Sequence, residues 1–431
     1  MKNDVLILGA GITGLSAGMN AKADIFEKAD IPGGICASYY VGIDGKRLHE
    51  RDDEESYRFE MGGGHWIFGA DKKSLDFINA LSPAKSYKRR SSVYLPSIGF
   101  HVPYPIQNHL SYLPEKIRKK ALAEIITSKK RTVSTLADWL EVSFGRTLCE
   151  LFFFPFHELY TAGLYTNIAP QDSFKSPVDK ALIDQGAKEK TPAVGYNATF
   201  IYPERGLDEL INKMAEGCRV NYGRKVMRID LNQKKLFFED KTYVEYEDAI
   251  SSLPLNRVLE MAGLDAGKPD PFTSVLVINV GAKKGNRCPE DHWIYIPKNR
   301  AGFYRVGFYS NVDVSFLPTS SRKDKDRVSI YVEKAYPGGR RPAMAEIRML
   351  CEGITRELKE WGFISDVEVV DPTWIDVAYT WRYPGSDWVE RAVGMLKEHG
   401  IFQVGRYGQW KFQGIAESIK DGLNAKRAIR G

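Results

Sequence analysis

Short apolar runs alternate with helical patterns at the start of the chain, and this order predicts an α/β fold. Val5-Leu6-Ile7-Leu8 is a continuous apolar run, typical of a parallel strand that is buried on both faces. Residues 15–22 have a helical pattern, and residues 23–26 form a second strand-like run. The first 26 residues therefore predict a strand–helix–strand unit with a parallel sheet.

Glycines mark the turn between the first strand and the helix. Gly9, Gly11 and Gly14 stand in G-A-G-I-T-G: the first permits a tight turn, the second lets a pyrophosphate approach the backbone, and the third lets helix and strand pack closely. Glu27 ends the second strand and is placed to bind an adenosine ribose, although it follows Gly9 by only 18 residues. These features predict a Rossmann-like dinucleotide-binding domain.

Two further glycine segments indicate that the dinucleotide is FAD. Gly33 and Gly34, in I-P-G-G, are typical of FAD-binding members of this fold, and the alternative is an ordinary turn. Residues 59–68 place three glycines, the last of them Gly64, before His65. Glycines suit a backbone that is pressed against a flat ring system, because a Cβ would hold the ring away. The alternative interpretation of His65 is a hydrogen-bonded histidine of the protein core.

The C-terminal region repeats the strand–turn–helix pattern. Residues 400–404 read as a strand, G-R-Y-G as a turn that contains Gly405 and Arg406, and residues 414–427 as a helix. A glycine turn that opens a helix supplies backbone donors for a second part of a large cofactor. Residues 248–250 read as a strand that returns to the same sheet. The two ends of the chain therefore predict one discontinuous FAD-binding domain.

Between these ends the pattern changes twice, to a helical region and then to a strand-rich one. The predicted FAD-binding domain (GR2 or amine-oxidase type) comprises residues 1–88, 195–265 and 395–431. The predicted helical insertion on the substrate side comprises residues 89–194 and contains a mobile loop between 163 and 195. The predicted antiparallel-sheet substrate domain comprises residues 266–394.

Composition and charge narrow the class of protein. The chain has 431 residues, of which 43% are hydrophobic, and no apolar run approaches the ~20 residues of a membrane span. No secretory signal is visible, so a cytoplasmic protein is expected. The five cysteines are scattered without metal-ligand spacing, so neither a metal site nor disulfides are expected. A net charge of +6 suits an anionic ligand, and the basic runs lack the interleaved aromatics of nucleic-acid binders.

Five later motifs carry a resemblance to a known family. They are P-Y-P-I-Q-N, G-Y-N-A-T-F-I-Y-P, F-Y-R-V-G-F-Y-S-N, R-Y-P and V-G-R-Y-G-Q-W. Together and in this order they resemble the UDP-galactopyranose mutases, particularly the larger eukaryotic type, from the first strand to the last helix. The resemblance implies an isomerase of cell-surface glycan biosynthesis that interconverts the pyranose and furanose forms of a nucleotide sugar. Reduced FAD would attack the anomeric carbon through N5 without net redox change, after reduction by NAD(P)H or another reductant.

The resemblance also assigns site residues. It implies catalytic roles for His65, Arg305 and Arg406, and cofactor contacts by Gly9, Gly11, Gly14, Glu27, Gly33, Gly34, Gly64, His65, Gly405 and Arg406. It implies substrate contacts by Gln107, Tyr160, Lys175, Asn197, Tyr295, Arg305 and Tyr383. Arginine suits this task because its planar fork binds phosphate oxygens in pairs.

Three departures from the family pattern fall in the nucleotide and diphosphate pocket. Lys175 is the nearest substitute for a second diphosphate arginine, Tyr160 replaces a tryptophan, and Phe412 replaces a tyrosine. The nucleotide, the sugar or both are therefore expected to differ from UDP-galactose, with GDP and dTDP as other nucleotides.

The alternative class is an FAD-dependent oxidase or dehydrogenase of the amine-oxidase or protoporphyrinogen-oxidase type. Such enzymes share the cofactor-binding segments but surround the flavin with an apolar or aromatic cage. A non-enzymatic flavoprotein or binding module is a third reading. The sequence leaves the physiological reductant open, and also whether copies associate into a homo-oligomer.

Overall fold

The computed structural model describes residues 3–48, 55–96, 99–128, 131–170, 178–191 and 198–430. Lys175 and Asn197, and with them parts of the loop expected between residues 163 and 195, lie outside the described residues. The strands are β1 (Asn3–Leu8), β2 (Asp24–Phe26), β3 (Ser38–Gly42), β4 (Arg47–Leu48), β5 (Ser56–Glu60), β6 (Ala84–Lys88), β7 (Ser91–Leu95), β8 (Phe100–Pro103), β9 (Thr199–Pro203), β10 (Arg219–Asn221), β11 (Val226–Asp230), β12 (Lys235–Phe238), β13 (Tyr243–Ser251), β14 (Phe272–Lys284), β15 (Trp293–Tyr295), β16 (Arg305–Phe308), β17 (Arg327–Pro337), β18 (Ile364–Thr380) and β19 (Ile401–Gln403).

The helices are α1 (Ile12–Ala21), α2 (Lys72–Leu81), α3 (Glu115–Thr127), α4 (Leu136–Leu148), α5 (Phe154–Tyr160), α6 (Lys180–Lys188), α7 (Leu207–Glu216), α8 (Leu255–Ala262), α9 (Tyr309–Val312), α10 (Met344–Glu360), α11 (Trp388–Glu398), α12 (Gly405–Gly408) and α13 (Ile415–Arg430). A π-helical turn, Cys149–Phe153, joins α4 to α5. Among the described residues, no helix is both long enough and apolar enough to cross a membrane.

The first sheet combines strands from both ends of the chain. Its order is β10-β2-β1-β13-β12-β11, and β19 also pairs with β13. The pairs of β1 with β2 and β13, and of β13 with β19, are all parallel. Leu6, Ile7 and Leu8 are fully buried in β1, as their continuous apolar run predicts. The predicted return of residues 248–250 to this sheet is confirmed, and the C-terminal strand joins it too.

The first and last long helices pack directly against each other. A Cβ built on Gly422 of α13 would overlap the carbonyl oxygen of Thr13 in α1, so glycine permits this close approach. The C-terminal region is therefore anchored beside the N-terminal glycine turn. The boundaries of the three expected domains stay a prediction.

The second sheet is mainly antiparallel, in the order β18-β14-β17-β16-β15-β7-β8, with β15 and β7 parallel. The antiparallel sheet expected within residues 266–394 contains the centre of this sheet, whereas β18 and α11 had no individual counterpart in the prediction. β18 contains Asp366, Glu368, Asp371 and Pro372, residues that disfavour a strand assignment. The structure accommodates them because β18 lies at the edge of the sheet and is only partly buried.

Helices dominate the described residues between 115 and 188, in agreement with the helical pattern of this region. A second difference concerns G-R-Y-G, which was predicted as a turn and forms the short helix α12. Its first residue, Gly405, has a φ of +73°, so the chain turns sharply from β19 into α12.

Candidate active site

The turn between β1 and α1 is fixed by the packing of two of its three glycines. Gly9 has a φ of +91°, and a Cβ there would lie 2.7 Å from Oγ of Ser252. A Cβ on Gly14 would overlap the Gly9 carbonyl oxygen, whereas a Cβ on Gly11 would meet nothing within 4 Å. Gly11 thus presents its backbone to open space at the N-terminus of α1, where a helix attracts anions.

The other predicted cofactor glycines lie around the same turn. The Gly33 N–H donates to the Ala10 carbonyl at 2.8 Å. A Cβ on Gly34 would lie 3.6 Å from Cα of Gly11, and one on Gly405 would lie 2.5 Å from Oγ1 of Thr13. Three segments that are distant in sequence therefore meet at the start of α1.

Glu27 holds this turn from the side of β2. Its Oε2 accepts the Ala10 N–H at 2.7 Å and its Oε1 accepts the Ala29 N–H at 2.9 Å. The side chain is buried, yet each carboxylate oxygen keeps a second lone pair. The carboxylate has a structural role in the turn, and its predicted contact with a ribose stays a prediction.

His65 lies where two distant arginines converge. Its Nδ1 lies 2.9 Å from the Gly63 carbonyl oxygen. Burial, together with the nearby charges of Arg406 and Arg305, lowers the pKa of His65 to about 4. The imidazole is therefore neutral at pH 7. Arg305 reaches this segment through its partner Glu333, whose Oε1 would lie 2.8 Å from a Cβ on Gly63. The three residues to which the resemblance assigns catalytic roles therefore lie in one region of the structure.

The three glycines before His65 have a packing reason of their own. A Cβ on Gly62 would overlap Cε1 of His65, and one on Gly64 would overlap the hydroxyl of Tyr331. A Cβ on Gly63 would lie 2.8 Å from Oε1 of Glu333. Protein side chains account for these glycines, so the glycines are not independent evidence for a flat ring.

Arg305 is held by a carboxylate that the sequence analysis missed. Its Nη2 lies 2.5 Å from Oε1 of Glu333 and its Nε donates to Oε2 at 2.9 Å. The Tyr304 hydroxyl donates to the same Oε2 at 2.5 Å. Arg305 and Glu333 are cross-strand neighbours on β16 and β17, which explains the pairing. The Glu333 side chain is 2% exposed, whereas that of Arg305 is 20% exposed and remains partly open.

Arg406 is positioned by backbone carbonyls and aromatic rings. Its guanidinium donates to the carbonyls of Gln413 at 3.1 Å and Ala378 at 3.0 Å. Cζ lies 4.8 Å from the ring centroid of Phe412 and 5.1 Å from that of Tyr379. The Tyr407 ring lies 5.7 Å from the same atom, so three rings surround the charge, an arrangement that cation–π attraction stabilises.

Aromatic rings line the region next to Arg305. The ring centroids of Tyr160 and Tyr304 lie 5.2 Å apart, and those of Tyr295 and Phe156 lie 5.4 Å apart. Tyr295 is also the cross-strand partner of Arg305. Two predicted substrate residues, Tyr160 and Tyr295, therefore lie in this aromatic group.

Two other predicted substrate residues are placed differently. Gln107 is fully buried, and α6 covers its segment so closely that a Cβ on Gly186 would overlap the Asn108 carbonyl. Tyr383 packs 4.5 Å from Nζ of Lys268, and its N–H donates to Oδ1 of Asp270. Neither contact points to a ligand, so the roles of Gln107 and Tyr383 stay predictions.

A second buried carboxylate, Glu60, was also missed. Its Oε1 accepts the Tyr202 hydroxyl at 2.5 Å and its Oε2 accepts the His65 N–H at 3.2 Å. Burial raises the pKa of Glu60 to about 8, although the Tyr202 hydrogen bond and the Arg58 charge oppose this. The signal for Glu60 and Glu333 was an acid within a strand that is rich in aromatic or β-branched residues, since a buried acid needs partners.

Comparisons with solved structures show what this fold resembles. A reduced UDP-galactopyranose mutase matches 100% of this chain and 94% of its own, with a TM-score of 0.86 and 22% identity. A fatty acid isomerase from P. acnes that produces CLA matches 99% of this chain and 98% of its own, with a TM-score of 0.61 and 15% identity. A putrescine oxidase bound to putrescine matches 100% of both chains, with a TM-score of 0.58 and 14% identity. No protein-family model matches the sequence.

The predicted fold class is confirmed by these likenesses. The chain is an α/β protein whose fold is that of the solved UDP-galactopyranose mutase and, more distantly, of an amine oxidase. The resemblance carried by the sequence motifs therefore extends to the whole fold.

Proposed function

We propose that this protein is an FAD-dependent mutase that interconverts the pyranose and furanose forms of a nucleoside-diphosphate hexose, without net redox change. The observation that carries the proposal is that Glu333, which binds Arg305, lies against the Gly63 backbone beside His65, while Gly405, which precedes Arg406, packs against Thr13 at the start of α1. A site with two arginines suits an anionic substrate, and the fold is shared with a UDP-galactopyranose mutase.

The glycine segments fit FAD. Gly11 leaves space for a pyrophosphate at the N-terminus of α1, and Gly405 turns the chain beside Thr13 toward the same region. Gly9, Gly14, Gly33, Gly34 and Glu27 then hold the loops that would surround the dinucleotide. When bound and reduced, the flavin supplies an electron-rich nitrogen that can attack an anomeric carbon.

The residues of this chain would orient the substrate and stabilise the departing charge. Arg305 pairs with Glu333, and Arg406 donates to backbone carbonyls, so two guanidinium groups are held in place to attract a diphosphate. Neutral His65 supplies an imidazole without adding charge. The rings of Tyr160 and Tyr295 exclude water next to Arg305, which strengthens its attraction for an anion.

The remaining assignments belong to the same proposal. Gln107, Lys175, Asn197 and Tyr383 would contact the nucleotide or sugar; for Gln107, this requires α6 to move away from residues 106–109. The expected three-domain division would place the helical insertion over the substrate. We also propose that the enzyme acts in the cytoplasm and that NAD(P)H or another reductant primes the flavin.

The aromatic group beside Arg305 favours a second candidate, an amine-oxidase-like flavoenzyme. Phe156, Tyr160, Tyr304 and Trp381 have ring centroids 5.2 to 5.5 Å from a neighbouring ring of the group, and such a cage suits hydride removal from an uncharged centre. The buried ion pair of Arg305 argues against this candidate, because it places charge at the edge of the cage.

Binding and turnover separate the two candidates. Flavin-loaded enzyme, reduced anaerobically with dithionite, is incubated with UDP-, GDP- and dTDP-hexoses, and products are resolved by chromatography. We expect ring interconversion by reduced but not by oxidised enzyme, and Arg305→Ala should raise KM about 10-fold or more, through loss of a charge-assisted hydrogen bond. Flavin reduction by a polyamine, with no sugar product, would instead support the oxidase.

A further inference from the structure

The outer face of α10 carries an exposed methionine. The inner face of this helix packs beside the second sheet through Ile347, Ile354 and Leu358, which are almost fully buried. Met349 points the other way and is 73% exposed, the largest exposed fraction among the large hydrophobic residues that the structure describes. A single exposed methionine is ordinary in a folded protein, so its neighbours on the helix decide whether this face is a binding surface.

An open groove lies one helical turn after Met349. It has a volume of about 210 Å³ and is lined by Arg300, Ala301, Gly353 and Arg356. A Cβ on Gly353 would meet nothing within 4 Å, so packing within the chain does not require a glycine there. The groove therefore leaves room beside α10 for an apolar side chain that comes from outside the chain.

Four residues of this face form a stripe that is complementary to itself. Glu346, Met349, Gly353 and Arg356 follow one another at spacings of three, four and three residues, the spacing of a helix seam. When two copies of α10 pack antiparallel, Met349 of each copy meets Gly353 of the other, and Glu346 of each meets Arg356 of the other. A large side chain thus fits against a small one, and opposite charges meet at both ends of the contact.

The two charged residues of the stripe are available for such a contact. Glu346 and Arg356 are both exposed, and within the part of the chain that the structure describes neither forms a salt bridge. Glu352, on the flank of the stripe, would approach its own copy across the two-fold axis. Arg348 lies one turn before it on the same helix and is also exposed, so it supplies a compensating positive charge.

We infer that α10 is a homodimer contact, in which two copies of this helix pack antiparallel about a two-fold axis midway between Glu346 and Arg356. A second copy of the chain is favoured as the partner because the stripe matches itself in size and in charge. One pair of helices is small against the roughly 1,200–2,000 Å² of stable interfaces, so the dimer should be weak and dependent on concentration. The contact uses no residue of the candidate active site, so the proposed function can fail without affecting it.

Sedimentation velocity of the flavin-loaded protein, from about 10 μM to 1 mM, tests this dimer. We expect the sedimentation coefficient of the wild type to rise with concentration. Glu346→Arg places two arginines opposite each other at both ends of the contact, and Arg356→Glu places two glutamates there. Each variant alone should raise the Kd of the dimer about 10-fold or more, because like charges repel. An equimolar mixture of the two variants restores opposite charges at both ends and should form a heterodimer about as tight as the wild-type dimer.

Lys72→Glu is the matched control, since Lys72 is an exposed charged residue of another helix, α2, and this variant should dimerise like the wild type. Circular dichroism checks that every variant is folded. A wild type that stays monomeric over the whole concentration range would overturn the inference. It would be overturned equally by dimers that both single variants retain, which would place the contact elsewhere. A mixture that stays monomeric would exclude the antiparallel register.

Discussion

The glycine turns of the cofactor side and the charged residues of the substrate side are specified in different ways. Gly9 has a φ of +91°, and Gly14 packs against the Gly9 carbonyl of the same turn, so the local sequence defines both glycines. Arg305, by contrast, depends on Glu333 across a sheet, and the pKa of His65 is lowered by two arginines that lie more than 200 residues from it in the sequence. Glycine spacing in the sequence therefore predicts the backbone geometry of a turn, whereas it does not predict which charged residues pair.

The largest expected effect is at Gly14. A Cβ there overlaps the Gly9 carbonyl oxygen, so Gly14→Ala should lower the free energy of unfolding by about 4 kcal/mol or more and abolish flavin binding. Urea unfolding and absorbance near 450 nm measure the two effects. Gly353→Ala, in α10 where a Cβ meets nothing within 4 Å, should be neutral or stabilising. Equal stability of both variants would show that the turn is not fixed by packing.

The next largest effect on stability is expected at Glu333, on the substrate side. Glu333→Ala leaves Arg305 without its buried partner and should lower the free energy of unfolding by about 3–5 kcal/mol. Asp76→Ala removes an exposed partner of Lys72 and should cost at most about 1 kcal/mol. Denaturant titration of both variants measures the difference. Similar losses for the two would mean that Arg305 does not depend on Glu333.

Glu60 gives the third effect, a dependence on pH. Its pKa is about 8 in the folded protein against 4.5 for a free side chain, so the folded state binds the extra proton between these values. Its contribution to stability is complete below pH 4.5 and is lost as pH rises to 8. His65 changes its contribution to stability only between about pH 4 and pH 6.5. Above pH 6.5 the effect of Glu60 can therefore be measured without that of His65.

Glu60→Gln should therefore remove part of the pH dependence between pH 6.5 and 8, where wild-type stability should fall by about 2 kcal/mol more than that of the variant. Urea unfolding at several pH values measures both slopes. Parallel slopes for wild type and variant would show that Glu60 is already ionised at pH 6.5.

The smallest effect on stability is expected at Gly11. Its φ of −68° suits any residue, and a Cβ there meets nothing, so Gly11→Ala should change the free energy of unfolding by less than about 0.5 kcal/mol. The same Cβ would enter the space that we assign to the pyrophosphate, so flavin affinity should fall 10-fold or more. Unchanged affinity in a fluorescence titration with FAD would place the pyrophosphate elsewhere.

Much of the fold followed from local patterns. The apolar run of β1, the glycine turn and the C-terminal strand and helix are all where the sequence predicted them. β18 was missed because its acidic residues and Pro372 are tolerated only at a sheet edge, which no local pattern reveals. Short-range order was thus predictable, and position within a sheet was not.

Only those residues of the candidate site that belong to sequence motifs could be predicted. His65, Arg305 and Arg406 were named from motifs, and the structure brings them together. Glu333, the partner of Arg305, lies on the neighbouring strand β17, and pairing across a sheet depends on a register that spacing does not encode. The glycines before His65 were named correctly, but Tyr331 and Glu333, rather than a flat ring, explain their small size.

Under the proposed function, the glycine turns that would hold FAD and the arginines Arg305 and Arg406 together support isomerisation without net electron transfer. Counting turnovers per reducing equivalent tests it most directly: oxygen-free, flavin-loaded enzyme receives one equivalent of dithionite, then excess nucleotide sugar. We expect many product molecules per equivalent of dithionite, with the flavin still reduced at the end. At most one product molecule per equivalent, or reoxidation of the flavin in step with product, would contradict it.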